Sequence, residues 1–91
     1  MKEREIVKEV LLPLTAINYP MVCKDDEEGG ISVLLVPSKI ILNISPRSDG
    51  LVLIRVLTPE LSVYPTSLKL DIDANTITMF SDERDIGLLF L

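Results

Sequence analysis

The spacing of apolar residues along this chain changes near position 13. From Lys2 to Leu12 the apolar positions Ile6, Val7, Val10 and Leu11, with Leu14 beyond, recur at intervals of one, three and four. That spacing draws a single stripe along a helix. Glu3, Glu5, Lys8 and Glu9 take the other face, and Pro13 is expected to close the segment, since proline cannot extend the hydrogen-bond ladder. A helix this short is marginal alone, so it must dock on the rest of the chain.

From Thr15 onward the period is two. Ile40, Leu42 and Ile44 alternate with Lys39, Asn43 and Ser45, and Leu68, Leu70 and Ile72 alternate with Ser67, Lys69, Asp71 and Asp73. Both runs predict half-buried antiparallel strands. Residues 31–36 and 51–57 are apolar on both faces apart from Ser32 and Arg55, which predicts central strands covered by a second layer or by the helix. Breakers at 25–30, 36–38, 45–50, 58–60, 73–75 and 81–85 separate these runs. Turn signals every eight to twelve residues predict a meander, barrel or small sandwich.

The chain therefore reads as mostly β, in one domain over residues 1–91. A helix over 1–13 is expected to pack on one face or one open end of an antiparallel sheet over 15–91. Five to seven strands are expected, rolled into a small barrel or folded into a two-layer sandwich.

Composition sharpens this. Hydrophobic residues make up 47% of the chain and only four side chains are aromatic, so the core must be built from Leu, Ile and Val. The charged fraction of 25% is ordinary; the aliphatic excess replaces neutral polar residues. It either fills a dense core or supplies a surface for a partner. The chain has no Gln or His and one Cys, a depletion of labile side chains in keeping with a thermostable protein. No apolar run approaches the length of a signal segment or membrane span, and the expected location is the cytoplasm.

A net charge of −5 argues against phosphate backbones, which need clustered Lys and Arg. Lys39, Arg47, Arg55, Lys69 and Arg84 stand singly. No direct nucleic-acid or membrane contact is expected, and the acidic field suits a basic protein surface better.

Reactive chemistry is sparse. Without His the chain lacks imidazole acid–base catalysis and the commonest transition-metal ligand. Cys23, preceded by Ile17, Tyr19 and Met21 at strand spacing, reads as a buried thiol acting as a small hydrophobe. Carboxylates fall in turns or on polar strand faces, where solvation keeps them ionised. No enzymatic activity and no cofactor are expected. Asp71, Asp73 and Asn75 have the one-three-five oxygen spacing of a calcium loop, with Asp82 at the twelfth position. Thr76, however, stands where that loop needs glycine, and the flanks are strands. These three residues read first as a hairpin turn and only weakly as metal ligands.

Three segments are candidates for touching a partner, each with a plainer structural reading. Asp25, Asp26, Glu27 and Glu28 form an acidic knob that is ordinarily a solvated loop. The stripe including Ile6 and Val10 inserts in a groove or packs on its own sheet. Leu88, Leu89, Phe90 and Leu91, following Gly87, complete the core or add a strand to another sheet edge. The expected function is a non-enzymatic protein–protein interaction module. Such a module is an acidic accessory or stabilising subunit of a larger assembly, with nucleic-acid-processing machinery a natural host, or a homo-oligomer. The alternative is a β module that binds a divalent cation or small ligand, and a hydrolase is the remote third.

Overall fold

The computed structural model describes residues 11–25 and 29–91. Ile6 and Val10 of the expected helical stripe, and Asp26, Glu27 and Glu28 of the acidic knob, lie outside the described residues.

Helical residues run over 11–16, through Pro13 instead of stopping at it. Proline removes one ladder bond, but its own φ is helical. The stop comes five residues later. The N–H of Tyr19 donates to the Leu14 carbonyl at 3.0 Å, and that of Asn18 donates to the Thr15 carbonyl at 3.0 Å. Asn18 stands at φ 55°. This six-to-one and five-to-two pair around a left-handed residue terminates helices by satisfying the last carbonyls, and asparagine tolerates that conformation. The segment after Thr15 is therefore a helix end, not yet a strand, and Ile17 belongs to it.

Eight strands come after it: β1 (Met21–Asp25), β2 (Ile31–Leu35), β3 (Ile40–Pro46), β4 (Val52–Leu57), β5 (Ser62–Val63), β6 (Ser67–Asp71), β7 (Thr76–Ser81) and β8 (Arg84–Phe90). The count exceeds the expected five to seven because β5 is a two-residue pairing, too short to leave an alternating signature. The chain is mostly β, with two antiparallel sheets ordered β1-β2-β3-β4-β5 and β6-β7-β8. Among the described residues every hydrogen-bonded neighbour is also a sequence neighbour, and no closed barrel forms.

Alternation assigns the faces. Val33 and Leu35 of β2, Ile40, Leu42 and Ile44 of β3, and Ile54 and Val56 of β4 are buried. Registers Val33↔Leu42↔Val56 and Ile31↔Ile44↔Ile54 stack them in rows across the sheet. From the smaller sheet, Ile77 and Met79 of β7 are buried, flanked by the half-buried Leu68, Leu70 and Leu89. The two sets share one apolar cluster with Leu14, which is fully buried. Each such side chain contributes about 1.5–3 kcal/mol on leaving water. Gly87 lies opposite Met79, and a Cβ there would come within 2.8 Å of the Met79 terminal methyl. Glycine leaves that space to the methionine.

Turn chemistry tracks the breakers. Arg47 and Gly50 close the β3–β4 connection, with Gly50 at φ 80° and an Arg47–Asp49 ion pair at 2.8 Å. The Thr58 hydroxyl accepts from the N–H groups of Glu60 and Leu61. The β7–β8 hairpin turns on Asp82 and Glu83, at φ 50° and 67°. Two-residue hairpins that match strand twist need positive φ at both positions, which favours glycine at the second. Thr66 compensates, as its hydroxyl accepts from the Asp82 N–H at 2.9 Å and donates to the Phe80 carbonyl at 3.3 Å.

Two stability measurements test this turn and this core. Glu83→Gly should raise unfolding free energy by about 0.5–1 kcal/mol by relieving the left-handed side chain; a loss of stability would refute the turn geometry. Leu14→Ala should lower it by about 2–5 kcal/mol in denaturant titration, and a change below that range would place Leu14 outside the core.

Candidate interaction surface

The acidic and oxygen-rich candidates occupy ordinary turn positions. Asp25 ends β1 and is exposed. Asp71 ends β6, and its Oδ1 accepts the Ala74 N–H at 3.0 Å, while the Asn75 N–H donates to the Ile72 carbonyl at 3.2 Å. Asn75 stands at φ 60°. Asp71, Asp73 and Asn75 thus shape the β6–β7 hairpin. Among the described residues no three His, Cys, Asp or Glu side chains are grouped to hold a metal ion, and no helix is long and apolar enough to cross a membrane.

Cys23 is exposed, contrary to the buried thiol expected from its spacing. The expected parity does hold: Cys23 pairs with the inward Val33, and Lys24 pairs with Ser32 on the other face. Spacing could not show how far the shared cluster reaches: β1 is the edge of its sheet among the described residues, and Met21 packs against the cluster while Cys23 does not. Cys23, Met21 and Tyr19 line a cavity of about 490 Å³ with Leu11 and Thr15 of the helical segment.

The outer face of the larger sheet carries apolar residues in one row, Val22↔Leu34↔Ile41↔Leu57. Leu34, Ile41 and Leu57 are half-buried, and beside them lies a groove of about 320 Å³ reaching Lys24 and Ser32. The next row, Lys24↔Ser32↔Asn43↔Arg55, is polar and internally satisfied in part. Asn43 Nδ2 donates to Ser32 Oγ at 2.7 Å, and the Arg55 guanidinium lies 5.7 Å from the Tyr64 ring centre. Strands β2 and β4 are central, as their two-sided apolar runs predict, and β3, expected as a half-buried alternating strand, lies between them, but this outer row faces outward.

The most exposed apolar side chains of the smaller sheet lie on β8. Leu89 and Leu91 pack against the core, while Leu88 and Phe90 project outward, 48% and 70% exposed. Ile86 is 45% exposed. A register shift between Met79 and Phe80 makes Ile86 an extra residue in β8, and Asp85 Oδ1 accepts the Gly87 N–H at 3.1 Å beside it. Such a bulge re-aims side chains, here setting Asp85 opposite Phe80 while Ile86 shares the strand parity of Leu88 and Phe90. β8 is also a sheet edge. The Leu91 N–H donates to Asn75, towards β7. With a period of two, the N–H and C=O of Leu88 and Phe90 point to the open side.

Comparisons with protein-family models, with curated proteins and with solved structures return no match. The geometry alone carries the reading.

The tail was identifiable in the sequence as apolar on both faces. Ile86 has the strand parity of Leu88 and Phe90 but was missed because only the fold leaves that face uncovered, and the row through Val22, Leu34, Ile41 and Leu57 was missed because it exists only across registers. Phe80, half-buried opposite Asp85, likewise joins the β8 face through pairing.

Exposure of Cys23 is directly measurable. A thiol reagent should label it stoichiometrically in the native protein, within about tenfold of its rate in denaturant, as expected of an accessible thiol. Protection by several orders of magnitude would return it to the core.

Proposed function

We propose that this chain is a non-enzymatic protein–protein interaction module, an acidic subunit that docks through the outer face and open edge of β8. The supporting observation is the coincidence on one strand of exposed Ile86, Leu88 and Phe90 with a backbone edge that no strand among the described residues pairs. Strand addition at an edge combines main-chain hydrogen bonds, which give affinity, with side-chain contacts, which give specificity. Its two antiparallel sheets, packed as layers through one cluster, serve to hold that edge rigid.

The charge pattern favours the same reading. Fourteen acidic residues against nine basic ones leave a field that repels nucleic-acid backbones and attracts basic protein surfaces. Asp71 and Asp73, the residues on which a cation-binding reading would rest, sit in an exposed turn where Asp71 is already engaged with the backbone.

The test is size fractionation of the protein crosslinked in its own cells, with wild type set against the pair Leu88→Ser and Phe90→Ser. Wild type should run above monomer mass, and the double variant, with unchanged circular dichroism, should fall to monomer mass. A wild type that stays monomeric after crosslinking would overturn the proposal.

A further inference from the structure

Among the described residues, two sheets of five and three strands present four edges: β1, β5, β6 and β8. Proteins guard such edges with charge, proline or brevity, because an unguarded one pairs with other strands. Three of the four are guarded here. β1 carries Lys24 and Asp25. β5 is two residues long, between Pro59 and Pro65. β6 carries Lys69 and Asp71. β8 has its charges at Arg84 and Asp85 and then runs uncharged from Ile86 through Phe90.

We infer that the occupant of the β8 edge is β8 of a second copy of this chain, antiparallel about a twofold axis at Leu88. This rests on the interaction reading above and names its partner. The argument is self-complementarity. A twofold contact must match a surface to itself. In the register centred on Leu88, Leu88 faces its own copy and Phe90 faces Ile86 on each side of the axis. From Ile86 to Phe90 every outward side chain then meets an apolar one, and the Phe90–Ile86 pairs are of the aromatic and β-branched kind that stabilises antiparallel ladders. Leu88 and Phe90 present their N–H and C=O groups in the phase this register requires. Centring on Ile86 instead would set Arg84 against Leu88.

Charge points the same way. Each copy carries −5, yet β8 itself sums to zero through Arg84 and Asp85, so the strand is a neutral seam between two acidic bodies. The product is a continuous six-stranded sheet, β6-β7-β8 joined to its copy. A single strand pair buries less than the roughly 1,200–2,000 Å² of stable interfaces, so the dimer is weak and reversible.

The experiment is sedimentation of the purified full chain over about 5–500 μM, a range suited to so small a contact. A reversible monomer–dimer equilibrium is expected. It should tighten as salt rises, because salt screens repulsion between two acidic copies; a basic partner would be weakened instead. Leu88→Lys should weaken dimerisation by about tenfold or more, since it guards the edge with charge. In a Cys23→Ser background, Leu88→Cys should form a disulfide-linked dimer on oxidation. Residues opposite each other in such a pair stand about 5.5 Å apart at Cα, within disulfide reach. Leu53→Cys, exposed on the other sheet, should not. A strictly monomeric chain at every concentration, with assembly in cells still lost in the Leu88→Ser and Phe90→Ser pair, would overturn the second copy and leave the interaction reading standing. A dimer untouched by Leu88→Lys would remove β8 as its seat, and β8 variants without effect in either assay would overturn both.

Discussion

The structure depends on one contact, the closure of Ile77 and Met79 of the small sheet over the inward rows of the large one. Neither sheet buries both faces, and a three-stranded meander needs a packed face to be stable. Leu14 completes the cluster from the helical segment, so three elements remote in sequence share one dry interior. Gly87 belongs to the same constraint. Its missing side chain gives Met79 room, which couples the geometry of β8 to the core.

Unequal sheet width has consequences at the surface. Inward parity does not guarantee burial where the opposing layer is narrower, and β1 shows it: Met21 is half-buried beside the cluster while Cys23, two residues on, is exposed. The helical segment covers part of that margin and leaves a cavity lined by Leu11, Tyr19 and Met21. Beyond the cluster, the outer faces inherit whatever aliphatics the interior does not need. The surplus read from composition is thus divided between a core and two exposed apolar rows.

Edge management separates these rows by their capacity to bind. The row through Leu34 and Ile41 lies on central strands whose backbone is already paired, so it offers side chains only. β8 offers side chains and backbone together. Charges, prolines and shortness protect the other three edges, and their absence from Ile86 to Phe90 is a local departure within a chain that is otherwise a quarter charged. An exposed uncharged edge is costly in aggregation, and that cost is part of what supports the proposed docking at β8.

Much of the fold was legible along the chain, because period and turn chemistry are local. The strands of residues 40–46 and 67–71 obey their alternation, those of 31–35 and 52–57 take the central places their two-sided runs predict, and every connection between strands except that of residues 64–66 falls at an expected breaker. The helix end was misplaced at Pro13 because the actual stop is a left-handed Asn18, a conformation that asparagine permits but does not announce. The β8 tail was legible as two-sided apolar sequence, yet which of its residues face outward was not. That choice belongs to pairing: β7 assigns Leu89 and Leu91 to the core, which leaves Leu88 and Phe90, with Ile86 at the same parity, facing outward. By itself, then, the amino-acid order determined the elements, their turns and the poverty of reactive groups, all set by neighbours a few residues apart. Only the tertiary structure decided how many strands each sheet holds, where Cys23 meets water and which edge stays open, since these depend on registers and layer widths joining residues far apart in the chain.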